Sequence, residues 1–294
     1  MTELHWISAT EALDRFARKE LSPVELLDAV LARAEVVEPS INAFTEQLRD
    51  EAYAAARESE RRYAGGGDVR PRGGIPLVLK EEQPIAGRTL EEGSLVEKGV
   101  VAELTHPVAD RVLAAGAVVH ARTTTPEFSC APFTHTELWG VTRNPWNLAM
   151  SPGGSSGGSG ASLAAGSTVL ATGSDIGGSI RLPSSFCGVV GFKPPFGRVP
   201  GLAPFNQDTY CADGPMGRTV ADDESLWALA VSVSALLEGL CLQRQIDPER
   251  TPDLPIGRAG DRWSLFAAAS EALLLTYTEP ADGDSDEQLL TAAR

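Results

Sequence analysis

Lysine is scarce in this chain: only Lys19, Lys80, Lys98 and Lys193 occur, beside twenty-one arginines. Histidine is as rare, and His5, His106, His120 and His135 all precede residue 136. The four cysteines, Cys130, Cys187, Cys211 and Cys241, have no C-x-x-C spacing. That excludes the usual zinc and dithiol patterns and reads most simply as reduced thiols in a cytoplasmic protein. No run of about 18 apolar residues is present, so no membrane span is expected. The start, MTELHWISATEALDRF, lacks the basic and apolar regions of a secretory signal. Positive charge is short overall: 40 acidic residues face 25 basic ones, a net charge of −15. That balance argues against a general nucleic-acid binder and says nothing more about substrate.

What the chain does have is glycine and serine in two clusters, Gly153–Gly160 and Gly173–Arg181, separated by the small and aliphatic spacer Ala161–Thr172. Glycine clusters let backbone N–H groups converge on one point, because a residue without Cβ takes positive φ and permits close approach. Serine adds a small nucleophile, and convergent N–H groups stabilise an oxyanion. Three other readings compete. A flexible linker is disfavoured because Trp146, Pro152 and the apolar spacer hem the cluster in. A phosphate loop needs G-x-x-x-x-G-K-[ST], and no lysine is near. Gly153-Gly154-Ser155-Ser156-Gly157 fits the G-x-S-x-G elbow of α/β-hydrolases, but that fold needs its histidine after the serine.

A serine hydrolase without an available histidine needs another base, and lysine is the usual substitute. Lys80 ends the run Ile75-Pro-Leu-Val-Leu-Lys80, which reads as a short buried strand. Burial disfavours a charged amine, which makes a lysine at such a position a candidate general base. The alternative reading is a lysine that snorkels from a strand end to solvent.

Lys80, the GGSSGG cluster at 153–158 and the GSDIGGSIRLP run at 173–183 together resemble the signature elements of the amidase signature family. The resemblance continues through Thr125-Pro-Glu-Phe-Ser129, Asn144-Pro-Trp-Asn147, Phe192-Lys-Pro194, Gly197-Arg-Val-Pro200 and the segment 213–222, covering roughly residues 5–230. It implies a Ser–cis-Ser–Lys triad with Ser179 as nucleophile, Ser155 as the cis-serine and Lys80 as base. It further implies an oxyanion hole from the backbone N–H groups of Ile176, Gly177, Gly178 and Ser179. Ser156, Asp175 and Arg181 are expected to support the nucleophile loop, Asp175 and Arg181 by charge-assisted hydrogen bonds. Family analogy places Ser129 at the substrate pocket. No cofactor and no metal are implied. The implied reaction is hydrolysis of a small or medium carboxamide through a Ser179 acyl-enzyme, giving a carboxylate plus ammonia or an amine.

The fold expected is α/β: a mixed, largely parallel sheet flanked by helices, with an N-terminal helical segment. The length of 294 residues permits one large domain or two small ones. Helices are read over 8–63, where Ser8-Ala-Thr-Glu11 and Ser22-Pro23-Val-Glu25 form capping boxes and Glu46–Tyr63 continues as a third helix. This segment reads as a packing or dimerisation arm, so a homodimer is one expected assembly. From 70 to 230 strand and helix runs alternate, with strands at Ile75–Leu79, Ala117–Ala121, Val169–Thr172 and Val189–Phe192 and helices at Pro107–Ala115 and Ser159–Gly166. Lys80 and Gly173–Ser179 then fall at the carboxyl ends of strands, where sites in such sheets gather.

Two departures from the family pattern stand out. Members commonly read Lys-Asp-Asn after the base, whereas this chain has Lys80-Glu81-Glu82, which adds length and charge beside the lysine. Beyond about Leu229 the pattern fades into an acidic tail, 231–294. There Gln245–Asp261 and Thr278–Gln288 read as loop and Leu265–Tyr277 as one helix. The resemblance implies a longer C-terminal part that completes the acyl pocket, so a catalytically impaired or truncated homologue is one alternative. A glutamine-hydrolysing subunit of an amidotransferase complex is the other.

Overall fold

In a computed structural model the described residues are 3–203 and 205–219. The tail features expected beyond residue 230 lie outside them. Three helices lead: α1 (Ala9–Ala17), α2 (Pro23–Ile41) and α3 (Arg49–Arg61). Ser22 caps α2 with its side chain and Glu25 returns the bond to the Ser22 N–H, so the box closes with proline at the first turn. Ser8 makes the first half of the same motif by accepting from the Glu11 N–H at 3.1 Å. Leu26 and Val30 join Ala12 and Phe16 of α1 in a cluster against Ile75 and Val169. The N-terminal helices therefore cover one part of the chain's own core.

The sheet runs β1 (Phe44–Gln47), β3 (Val118–Thr123), β2 (Pro76–Lys80), β6 (Leu170–Asp175), β8 (Ala212–Gly217), β7 (Val190–Gly191) in spatial order. A separate hairpin pairs β4 (His135–Thr136) with β5 (Gly140–Val141). β3, β2 and β6 are parallel and form the centre, while β1, β8 and β7 pair antiparallel on the flanks. The sheet is thus the mixed α/β sheet expected, with helices packed on it.

Two of the differences from the sequence reading are set by strand pairing. Glu46 and Gln47 belong to strand β1, because pairing with β3 overrides local helical preference. β6 runs on through Gly173 to Asp175, because every residue from Leu170 onward has a partner on β8. β8 itself carries Gly214 and Pro215 and has no strand signature of its own.

The pleat of β2 decides where the site forms. Leu77 and Leu79 point to one face and pack with Ala109 of α4 (Pro107–Ala114). Val78 points to the other and packs with Leu163 of α5 (Gly157–Ala165). Alternation places Lys80 on the Val78 side, toward the start of α5. Helix α6 (Arg181–Cys187) follows the end of β6. No helix among the described residues is long and apolar enough to cross a membrane.

Candidate active site

Lys80 is fully buried at the end of β2. Its Nζ lies 2.6 Å from Ser155 Oγ, 2.8 Å from Ser174 Oγ and 3.1 Å from Glu82 Oε1. This amine is not snorkelling to solvent: all three directions around the nitrogen end on protein oxygen. Its backbone N–H donates to Thr172 Oγ1 at 3.1 Å, which locks the end of β2 to β6. Thr172 and Ser174 are two apart on β6, so both reach the same face as Lys80.

Ser155 sits in the turn before α5 and is buried, with a cis Gly154–Ser155 peptide bond. Only glycine fits before it: a Cβ on Gly154 would lie 2.6 Å from both the Ala131 carbonyl oxygen and the Phe133 nitrogen. Gly153–Gly160 is therefore a packed turn leading into a helix, not a linker. Ser156 donates its N–H to the Ser179 carbonyl at 3.0 Å and accepts from the Ser174 N–H at 3.3 Å. The two Gly/Ser clusters are joined through this residue.

Ser179 lies half-buried in the loop between β6 and α6 and lines the same cavity as Ser155. Asp175 anchors that loop. Its carboxylate accepts from the N–H groups of Gly178 (2.7 Å), Ile180 (3.0 Å) and Arg181 (3.2 Å), and from the Arg181 guanidinium at 2.8 and 3.0 Å. Burial pushes this carboxyl up, but the Arg181 guanidinium and the backbone donors outweigh it and hold it below the usual range. The Gly178 N–H, expected in the oxyanion hole, is committed to Asp175. The N–H groups of Ile176, Gly177 and Ser179 have no acceptor among the described residues. These three are the loop donors left for a ligand.

The cavity encloses about 770 Å³. Leu90, Leu104, Phe128, Leu182, Phe196 and Val199 give it apolar walls, and Ser129, His106, Glu92 and Asp213 add polar groups. Ser129 has a left-handed backbone, φ 55°, and its hydroxyl donates to Glu82 Oε2 and pairs with Thr125 Oγ1 at 2.8 Å. Its side chain is thus held toward Glu82. Burial raises the Glu82 carboxyl, but Lys80 and the hydroxyls of Ser129 and Ser174 reverse that and hold it low.

Several of these groups went unread in the sequence. His106 caps α4, its Nδ1 accepting from the Val108 N–H at 3.1 Å, so Nε2 carries the ring proton toward Asp213 Oδ2, 3.5 Å away. Burial lowers the His106 pKa and raises that of Asp213, so both shifts favour an uncharged pair. Gln83 donates to Asp213 Oδ1 at 2.7 Å and accepts from Thr172. Ser174 stood inside the second Gly/Ser cluster and was legible only by its two-residue offset from Thr172. Glu81, the other acidic residue after the base, faces away from Lys80. It accepts the N–H groups of Glu91 and Glu92, lies 3.7 Å from Arg122, and burial raises its pKa to about 7.

The buried lysine hydrogen-bonded to a cis-serine, beneath a serine-bearing loop on a mixed α/β sheet, agrees with the expected triad geometry. The chain belongs to the amidase signature family: a family profile described as Amidase matches residues 25–232. It is 40% identical over 222 residues to a glutamyl-tRNA(Gln) amidotransferase subunit of Carboxydothermus hydrogenoformans, covering 75% of this chain and 46% of that protein. It is 39% identical over 292 residues to an acylamidase of Rhodococcus erythropolis, covering 95% and 58%. Among solved structures, a bacterial aryl acylamidase of the amidase signature family superposes with TM-score 0.69 at 30% identity over 79% of this chain and 47% of that one. Fatty acid amide hydrolase superposes with TM-score 0.71 at 30% identity, over 80% and 43%. The chain spans about half the length of the curated relatives it matches.

Proposed function

We propose that the chain carries the triad of an amidase that hydrolyses the C–N bond of a small or medium carboxamide. The observation that supports this most directly is the 2.6 Å contact between Lys80 Nζ and Ser155 Oγ, with Ser155 and Ser179 lining one cavity. In this reading Ser179 Oγ attacks the carboxamide carbon. Its proton passes to Ser155 Oγ, which hands its own proton to the lone pair of Lys80 Nζ. The negative oxygen of the tetrahedral intermediate meets the N–H groups of Ile176, Gly177 and Ser179; one such donor is typically worth on the order of 100-fold in rate or more. Return of the proton through Ser155 to the leaving nitrogen expels ammonia or an amine and leaves the Ser179 ester. Water attacks that ester by the same relay, releasing the carboxylate and restoring Ser179. The apolar walls suit an acyl group with hydrocarbon character. A cytoplasmic setting is inferred from the cysteine spacing alone, which has no C-x-x-C pattern.

Intact-mass analysis after treatment with a fluorophosphonate tests this reading. The native chain is expected to gain one adduct, Ser179→Ala none, and Lys80→Ala to react at least about 100-fold more slowly, the lower end of what a positioned base contributes. An adduct of equal yield on Ser179→Ala removes the assignment.

A second reading is a glutamine-hydrolysing subunit that works with partner chains, supported by the similarity to glutamyl-tRNA(Gln) amidotransferase subunits. Glutaminase activity that rises when an acceptor and a partner are supplied would favour it over a free-standing amidase.

A further inference from the structure

We propose that Glu82 is a positioning residue for the base: its carboxylate, held by Ser129, orients the Lys80 amine toward Ser155 and supplies the counter-charge for the proton that Lys80 accepts. The proposal rests on the reading of Lys80 as the base. In the deprotonated form that acts as base, the amine has two N–H bonds and one lone pair in a roughly tetrahedral array. With Ser174 Oγ at 2.8 Å and Glu82 Oε1 at 3.1 Å taking the two N–H bonds, the lone pair is left for Ser155 Oγ at 2.6 Å. Glu82 cannot face the lone pair, because an ionised carboxylate only accepts, and the Ser174 hydroxyl is already given to Glu82. The other carboxylate oxygen is fixed by the Ser129 hydroxyl, which Thr125 fixes in turn.

The same geometry serves the proton-transfer step. As the Ser179 O–C bond forms, the Ser179 proton moves to Ser155 and the Ser155 proton to Lys80, so an ammonium appears where solvent has no access. A buried cation without a partner is strongly disfavoured. Glu82 lies against it before the charge arrives, so no solvent has to reorganise. An asparagine at this position, which the family resemblance would place there, is one methylene shorter and carries no charge. The titratable groups that face Glu82 are Lys80 from β2, Glu92 from the following loop, His106 at the start of α4, and Cys211 and Asp213 at the start of β8. Among them only Lys80 is placed to take up the proton as a cation beside Glu82, since burial lowers the His106 pKa.

The test compares the native chain with Glu82→Gln and Ser129→Ala, using fluorophosphonate labelling from pH 5 to 10. Glu82→Gln is expected to lower the maximal labelling rate on the order of tenfold or more at an unchanged half-saturating probe concentration. The acid limb of its rate–pH profile should move to lower pH, because removing a nearby carboxylate releases the site's proton more readily. Ser129→Ala, which leaves the charge in place, should change the rate less and the limb little. A rate and a limb both unchanged in Glu82→Gln overturn the proposal. A second measurement needs no activity: urea midpoints for Lys80→Met, Glu82→Gln and the double variant. The double variant should lose less than the two singles together, and additive losses overturn the pairing. A native chain that takes no probe, with coupled midpoints, removes the amidase reading and the proton-transfer role while the Lys80–Glu82 pairing stands. A labelled native chain with an indifferent Glu82→Gln does the reverse.

Discussion

Asp175 shows how a single buried charge shapes the candidate nucleophile loop. Five N–H donors converge on it, two of them from the Arg181 guanidinium, which is itself largely buried. Exposed ion pairs such as Arg49–Glu35, at 2.7 Å, are held just as closely, yet pairs of that kind contribute only about 0–1 kcal/mol because water screens both partners. Breaking a buried pair costs more, about 3–5 kcal/mol, since it strands the remaining charge. Asp175→Asn keeps the shape but turns one acceptor toward its donors as an N–H₂, so a loss of about 3 kcal/mol in urea unfolding at pH 7 is expected. The pH dependence has a definite sign. The folded-state pKa of Asp175 lies below the ordinary carboxylate value near 3.9, so its contribution is present above that value and is lost as pH falls through the folded pKa. The gap between the native chain and Asp175→Asn should therefore shrink below about pH 4. A gap that stays constant to pH 2.5 would mean that the carboxylate charge is not what holds the loop.

Helix α5 follows the turn that holds Ser155 and packs by close approach. From Gly157 to Leu163 every residue is buried, which an ordinary surface helix, apolar on one face only, does not allow. Its hydroxyls are matched instead: Ser159 Oγ donates to the Thr172 carbonyl and pairs with Thr123 Oγ1, both at 2.8 Å, tying α5 to β6 and β3. A Cβ on Gly158 would stand 2.4 Å from Thr124 Oγ1, 2.6 Å from Thr124 N and 2.7 Å from the Ala43 carbonyl oxygen. Alanine gains about 1 kcal/mol over glycine in a helix interior, but two of those contacts are backbone and cannot turn away. Overpacking of this kind costs about 1–3 kcal/mol, so Gly158→Ala should lower the urea midpoint and slow labelling of Ser179 together. Gly177 faces open space, and Gly177→Ala should leave the midpoint unchanged. A Gly158→Ala chain as stable as the native one would show that α5 has room against β3. The same contacts mark what a reader of the sequence can and cannot see. β2 was legible because aliphatic residues run unbroken to Lys80, and the serine clusters were legible because glycine spacing is specific. The extension of β6 through Gly173–Asp175 was not, since its strand character comes from β8, which lies well downstream in the chain. Nor was β1, whose Glu46 and Gln47 suit a helix until β3 pairs with them. Lys80, Ser155 and Ser179 could be named from motifs; the partnership of Glu82 with Lys80 could not, because it depends on how the chain turns after β2.

Across the molecule the candidate triad is drawn from three separate places: the end of β2, the turn before α5 and the loop after β6. Each is fastened to the others by contacts between residues far apart in sequence. Lys80 N meets Thr172 Oγ1, Ser156 N meets the Ser179 carbonyl, and Ser159 bridges Thr123 and Thr172. Under these, Val78, Ala121, Leu163, Ala171, Ile180 and Met216 form one apolar cluster that reaches four strands, α5 and the turn into α6. A site built this way has no local unit that can open alone without breaking that cluster or leaving buried hydroxyls unpaired, each of which costs about 1–3 kcal/mol. Loss of the site and loss of the fold should then be one event. The check is a urea titration followed by two probes, tryptophan fluorescence and the initial rate of fluorophosphonate labelling after brief exposure. Coincident midpoints are expected for the native chain. In Ser159→Ala, which removes the α5 bridge to both strands, labelling should fall at a lower urea concentration than fluorescence changes. If instead labelling of the native chain already disappears well before the fluorescence transition, the loop after β6 opens independently of the sheet, and the nucleophile is held by Asp175 and Arg181 alone.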